Sequence, residues 1–268
     1  MYGVFLTKKR NKILLIGASG TLGSALKKNI YFKKAEVPSK NKLNILNKKD
    51  IKYYLKKEFQ IIINCAAISK VKICENNQKL ANKVNVFGIK NLVNEIINYE
   101  KKTKRSVLLI HLSSDAVYPY DRGNNKETSS LSPYNFYGKT KLKSERIVKK
   151  LKKFIIIRTR FFDKKKIRFK DAAIDIFSSM MEVDELVKNI IFLIKIRYNG
   201  IINVGGQKKS DYDFIKKFKK KLLKTSAKKI LEKLNYKIAI DASLNISLLK
   251  KLKKRHEKTQ LWYYYTNL

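Results

Sequence analysis

The sequence predicts an α/β fold: a doubly wound parallel sheet with a small C-terminal α/β substrate-binding region. Three observations carry this. Short, fully apolar runs alternate with longer amphipathic stretches through the first two thirds of the chain. The first apolar run leads straight into a glycine-spaced turn and then a helical pattern. The chain has 268 residues, 44% of them apolar, enough for one large domain with a sizeable core.

The elements follow in order. Lys12–Ile16 (KILLI) predicts a buried strand and Thr21–Lys28 a helix. Ala35–Val37 predicts a short strand ended by Pro38, and Lys48–Lys57 has helical spacing. Ile61–Asn64 (IIIN) is the next buried strand. Over Lys79–Tyr99, Val84, Phe87, Leu92, Val93, Ile96 and Ile97 form one helical stripe. Val107–Leu112 predicts a strand, Tyr137–Lys150 a helix and Phe154–Ile157 a strand. Continuous apolar strands between helices imply a parallel sheet covered on both faces. After Arg158 the pattern changes. Phe161–Ser179 is irregular and basic, Val183–Ile196 helical, Ile201–Val204 a strand and Tyr212–Leu223 helical. The expected division is a dinucleotide-binding domain over 1–160 and a smaller, interwoven lid and tail over 161–268.

The formal net charge is 62 − 21 = +41. Only 9 of the 62 basic residues are arginine, whereas phosphate and base readers lean on arginine. The lysines are spread along the whole chain, so the reading is a solvated basic surface with no nucleic-acid partner. No run approaches the ~18 apolar residues of a membrane span, and no membrane partner is expected. The N-terminus lacks the order of a secretory signal. Cys65 and Cys74 make no disulfide framework, and with His111 and His256 they show no metal-ligand spacing. No metal is expected, and a reducing cytoplasm is the expected compartment.

The turn is Gly17-Ala18-Ser19-Gly20-Thr21-Leu22-Gly23. Gly17 permits a sharp bend, Gly20 lets the backbone approach a pyrophosphate, and Gly23 lets the helix pack on the strand. The helix N-terminus offers free N–H groups to the anion. The cofactor's 2′-position is normally read at the end of the second strand. There the segment is Glu36-Val37-Pro38-Ser39-Lys40, and Lys40 favours NADP(H) over NAD(H).

Tyr137 and Lys141 stand four apart on a predicted helix, hence on one face. A free phenol is a poor acid–base at neutral pH, and a neighbouring ammonium lowers its pKa. The strand over Val107–Leu112 ends at Ser113-Ser114-Asp115, where ligands bind in this architecture. A serine there is placed to donate to a substrate oxygen, with Tyr137 moving the proton.

These stretches, with Leu43-Asn44-Ile45, Asn64-Cys65-Ala66-Ala67, Val84-Asn85-Val86, Ser113 to Tyr118, Pro133 to Lys141 and Ile157-Arg158-Thr159, resemble the extended short-chain dehydrogenases/reductases. Within them the chain is similar to the dTDP-4-dehydrorhamnose reductase branch, over roughly Lys12 to Leu249. The resemblance implies an NAD(P)H-dependent reductase of a nucleotide-linked 4-keto-6-deoxy sugar. By it, Ser114, Tyr137 and Lys141 are catalytic, and Lys141 also holds the nicotinamide ribose. Cys65, Ala66 and Ala67 border the adenosine side, Asn44 and Ile45 the adenine, Ser69 the loop below the cofactor, and Asn85 joins the cofactor set. Ser114, Asp115, Tyr137 and Arg158 face the substrate. Pairing of helices into a homodimer is usual in the family.

There are departures. The family usually has Asp where Asn44 stands. Ala116 replaces the Glu of sugar-nucleotide dehydratases, which argues against dehydration. The segment between Arg158 and Asp184 is short for a reductase. Arg158 and, less so, Arg160 are candidates for gripping a diphosphate, a task that suits guanidinium. His111 reads as a core histidine, and Trp262–Tyr265 as a tail that completes a core or meets a partner. Two alternatives stand beside the reductase: an NAD-dependent nucleotide-sugar epimerase, and a non-catalytic dinucleotide-binding regulatory subunit.

Overall fold

The computed structural model describes residues 12–167 and 170–266, and the side chains up to residue 259. The aromatic tail at Trp262–Tyr265 lies beyond the described side chains, and the residues before Lys12 lie outside the described ones.

Strand β1 (Ile13–Ile16) runs through the glycine turn into helix α1 (Thr21–Lys28). The segment expected as a second strand is reduced to one bridge: Glu36 pairs with the β1 backbone through two hydrogen bonds of 2.9 Å. The chain then crosses β1 through α2 (Lys48–Leu55) to β2 (Ile61–Asn64) on its other side. Strand order thus reverses at β1, which opens a crevice beyond its carboxyl end.

Helices α3 (Val71–Asn76), α4 (Gln78–Asn82) and α5 (Gly88–Thr103) follow, with one π-helical turn over Lys83–Phe87 between the last two. The single helix expected over Lys79–Tyr99 is continuous, with this wider turn inside it. The wider turn rotates Asn85 into the interior and leaves Phe87 54% exposed, off the apolar stripe. Strand β3 (Leu108–Leu112), α6 (Phe136–Val148) and β4 (Phe154–Arg158) complete this part.

Beyond it come β5 (Phe161–Phe162), β6 (Asp171–Ala173), β7 (Phe177–Ser178), β8 (Met181–Glu182), α7 (Val183–Lys195) and β9 (Gly200–Asn203). Strand β9 joins the main sheet, whose order is β1-β2-β3-β4-β9, every pair shown being parallel. The last elements are β10 (Lys209–Ser210), α8 (Asp211–Ile215), β11 (Leu223–Thr225), α9 (Ala227–Leu231), β12 (Asp241–Ala242) and α10 (Ser247–Thr266). The helix expected over Tyr212–Leu223 is only the short α8, and its end becomes β11. The segment after residue 160 thus serves two structures. Its α7 and β9 extend the main layers, while its short strands build a cap over the end of the sheet.

Side-chain alternation on the strands explains the layers. Ile13, Leu15, Ile61, Ile63, Ile110, Ile155 and Ile157 pack with α1 and α7. Leu14, Ile16, Ile62, Leu109 and Ile156 pack with α2 and α5 on the other face. Each such buried side chain contributes about 1.5–3 kcal/mol. Two buried faces leave the sheet's carboxyl end as the place for polar chemistry.

Candidate active site

The glycine turn behaves as its spacing predicts. Gly17 has φ +80°, and a Cβ there would lie 2.5 Å from the Ala66 nitrogen. A Cβ on Gly23 would run into the Gly17 carbonyl, so α1 rests directly on the turn. Gly20 is the N-cap of α1 and supplies no side-chain cap, which leaves first-turn N–H groups for an anion.

A second close approach assembles the reactive groups. Asn135 caps α6 by accepting from the Gly138 N–H at 2.8 Å. A Cβ on Gly138 would collide with the Ala116 carbonyl. The bare glycine lets α6 lie against the turn after β3, which brings Tyr137 to Ser114, its hydrogen-bond partner. The spacing of Tyr137 and Lys141 announces the pair, whereas the close approach at Gly138 between them has no signal in the spacing.

One cleft of about 860 Å³ gathers most of the expected residues. Gly20, Thr21, Leu22, Gly23, Cys65, Ala66, Ala67 and Ser69 line it, facing Ser114, Asp115, Tyr137 and Lys141. The cap closes the far side with Ile176, Asp211, Tyr236 and Ile238. Ser19 lies exposed within the same turn.

Other expected residues stand elsewhere. Lys40 is exposed and outside the cleft walls, while the Glu36 carboxylate is bound by Lys57. Asn44 caps its own turn by accepting from the Leu46 N–H at 3.0 Å, and Ile45 is core, against Gly88 and α5. Asn85 does not reach the cleft. Its amide holds both backbone groups of Ile68, at 2.8 and 3.0 Å, and donates to Thr140 at 3.0 Å, so it shapes the loop that carries Ser69.

Arg158 is the clearest correction. Its side chain is 1% exposed and donates to both oxygens of Glu145, at 3.0 and 2.7 Å, as well as to the Tyr118 hydroxyl at 2.8 Å. Neither Arg158 nor Glu145 is among the residues that line the cleft, so Arg158 stands apart from its expected place against the substrate. Arg160, the weaker candidate, is the arginine that lines the cleft.

The electrostatics differ from the simplest expectation. Burial raises the Tyr137 phenol above its ordinary range, and the hydrogen bond with Ser114 opposes it. Lys141 does not set the balance. Burial brings its own amine down to about 8, opposed chiefly by the Glu145 carboxylate. His111 is buried as expected, with its Nε2 2.9 Å from Ser144 Oγ and 3.4 Å from Lys141 Nζ. Burial and the nearby lysine hold it neutral. Cys65 is pushed up to about 12 by burial and is an unreactive wall residue.

The parallel sheet, the reversal of strand order at β1 and the crevice at the carboxyl end define a doubly wound α/β protein of the Rossmann type. The chain belongs to the RmlD substrate binding domain family, which its residues 11–183 match. It is 34% identical over 155 residues to the dTDP-4-dehydrorhamnose reductase of Aggregatibacter actinomycetemcomitans, covering 55% of this chain and 50% of that one. It is 30% identical over 149 residues to the methionine adenosyltransferase 2 subunit beta of Bos taurus, covering 51% of this chain and 42% of that one. The match spans half or less of these curated relatives. Among solved structures, the fold superposes on the dTDP-4-dehydrorhamnose reductase of Bacillus anthracis in complex with NADP. That TM-score is 0.78 at 23% identity, over 90% of this chain and 92% of that one. A hypothetical dTDP-4-dehydrorhamnose reductase of Sulfolobus tokodaii gives a TM-score of 0.73 at 26% identity, over 90% and 94%. No helix among the described residues is long and apolar enough to cross a membrane.

Proposed function

We propose that this protein is an NAD(P)H-dependent reductase of a nucleotide-activated keto sugar. The observation that carries the reading is the meeting of Ser114, Tyr137 and Lys141 with the glycine turn in one cleft. The named reductase relatives support it. The residues present fit a dinucleotide: bare glycines at the turn, an uncapped helix start, and a cleft running from there to Tyr137. NADPH is the favoured cofactor, supported by the B. anthracis relative in complex with NADP.

When bound, the reduced nicotinamide supplies the hydride to the substrate carbonyl carbon. The α1 start holds the pyrophosphate, and Lys141 the nicotinamide ribose. Tyr137 rotates its O–H from Ser114 to the substrate oxygen and gives it the proton. A raised phenol pKa keeps that proton in place until negative charge develops on the oxygen. Closure by the cap excludes water and strengthens these contacts.

The test is a panel of 4-keto sugar nucleotides followed by loss of NADPH absorbance. Turnover is expected with one of them, and Tyr137→Phe is expected to reduce it by orders of magnitude while NADPH affinity stays within about threefold. Wild-type turnover in that variant would sink the assignment. A second reading, a dinucleotide-binding subunit without turnover, is supported by the methionine adenosyltransferase subunit relatives. NADPH binding with no turnover on any panel member favours it. Tightly retained NAD after purification favours an epimerase instead.

A further inference from the structure

Arg160, two residues past the buried Arg158, reaches into the cleft with 27% of its side chain exposed. Its Nε donates to Asp115 Oδ2 at 2.6 Å. The other Asp115 oxygen accepts from the Ser114 hydroxyl at 2.9 Å, and Ser114 is bonded to Tyr137. Four side chains from three segments thus form one hydrogen-bonded line, Arg160–Asp115–Ser114–Tyr137. We propose that Arg160 is a positioning residue: by holding Asp115 it fixes the direction of the Ser114 hydroxyl, and so sets the hydrogen bond at Tyr137 without touching substrate. The proposal rests on the reductase reading.

Hydrogen-bond counting supports it. A serine hydroxyl has one proton and two lone pairs. The Ser114 proton goes to Asp115, and the Ala116 N–H takes one lone pair at 3.2 Å. One lone pair of the Ser114 oxygen is left, and its direction is set by these two bonds. That orientation holds only while the Asp115 carboxylate stays in place. Asp115 is 3% exposed, and a buried carboxylate needs a charged partner. Arg160 is that partner, with the Tyr134 hydroxyl and the Asp211 carboxylate also facing it. Around Tyr137 stand Ser114, Asp115, Cys74 and Arg160. The negative charge of Asp115 raises the phenol and the positive charge of Arg160 lowers it. Together the two charges offset each other at Tyr137, whereas removal of either one alone does not leave that balance.

The competing role is direct contact with an anionic group of the substrate, and a double-mutant cycle separates the two. Arg160→Gln is expected to lower kcat about tenfold or more, with KM for the keto substrate within about threefold. Arg160→Lys is expected to recover most of the loss. In an Asp115→Asn background, Arg160→Gln is expected to add less than about a twofold further loss, because nothing is left to hold. A raised KM with kcat kept, or losses that multiply in the double variant, would overturn the proposal in favour of direct contact. A second measurement needs no turnover. The crystal structure of Arg160→Gln is expected to show the Ser114 hydroxyl turned away from Asp115. An unchanged Ser114–Asp115 bond overturns the proposal. A wild-type protein without turnover overturns the reductase reading instead, and the crystal structure then decides the role of Arg160 alone.

Discussion

Arg158 on β4 grips both carboxylate oxygens of Glu145 on α6, at 3.0 and 2.7 Å, with each side chain 1% exposed. The same carboxylate accepts from Ser113 at 2.5 Å. Tyr137, Lys141 and Glu145 follow one another at four-residue steps, so they share a face of α6. The ion pair therefore clamps that face to the ends of β3 and β4 and fixes how deep the reactive pair sits.

Breaking the clamp from one side leaves an uncompensated buried charge. Glu145→Ala is expected to cost about 3–5 kcal/mol in urea unfolding. Adding Arg158→Met to it is expected to restore a large part, since both charges are then gone. A single-variant loss under about 1 kcal/mol would contradict the clamp.

Lys141 predicts a pH dependence with a defined sign. Its amine sits at about 8 in the folded protein against an ordinary 10.5. Between these values the unfolded chain binds the proton and the folded chain does not. Stability from this group therefore rises with pH across that window, by at most about 1 kcal/mol per pH unit. Below the window both states are protonated, and the cost of burying the ammonium is constant. Urea midpoints of the ligand-free protein and of Lys141→Met, taken from pH 7.5 to 10, are expected to converge as pH rises. Parallel curves would count against the lowered value.

The glycines of the turn separate into two kinds. Gly17 holds a left-handed φ with Ala66 at its back, so Gly17→Ala is expected to destabilise the fold by about 1–3 kcal/mol. At Gly20, with φ −74°, a Cβ would meet only the Gly17 carbonyl at 3.6 Å. Gly20→Ala is thus expected to keep its stability within about 0.5 kcal/mol and to lose NADPH affinity about tenfold, because the methyl stands where a phosphate approaches. Calorimetric titration beside thermal unfolding reads both. Equal effects of the two variants on stability would refute the distinction.

Asn85→Ala removes the acceptor of the Ile68 N–H, and leaves the Ile68 carbonyl with the Cys74 thiol and Thr140 with the Tyr137 carbonyl. A loss of about 1–3 kcal/mol is expected, with faster amide exchange at Ile68. Unaltered exchange there would show that the loop holds itself.

Much of this was legible in order along the chain. IIIN at 61–64 is a strand with those same ends, and the glycine turn, Tyr137 and Lys141 meet in the cleft. Apolar runs and glycine spacings record burial and backbone need, which are local properties. The π turn at Lys83–Phe87 was illegible because Val84 and Phe87 keep the spacing of an ordinary helix in the sequence, and only the folded chain turns Phe87 out and Asn85 in. Lys40 and Asn85 stand outside the cleft walls for a different reason. A motif gives each its place along the chain, whereas the surroundings of Asn85 are set by Ile68 and Thr140, 17 and 55 residues away.

The two arginines show the division. Periodicity and spacing along the chain already require strands that stack in parallel, with a glycine turn and a phenol–amine pair at the sheet's carboxyl end. The folded chain alone sets which way each arginine turns, Arg158 inward to Glu145 and Arg160 to Asp115 in the cleft. Charge pairing is settled through space, by distance and by exclusion of water. Partners 13 and 45 residues away leave no trace in the local pattern.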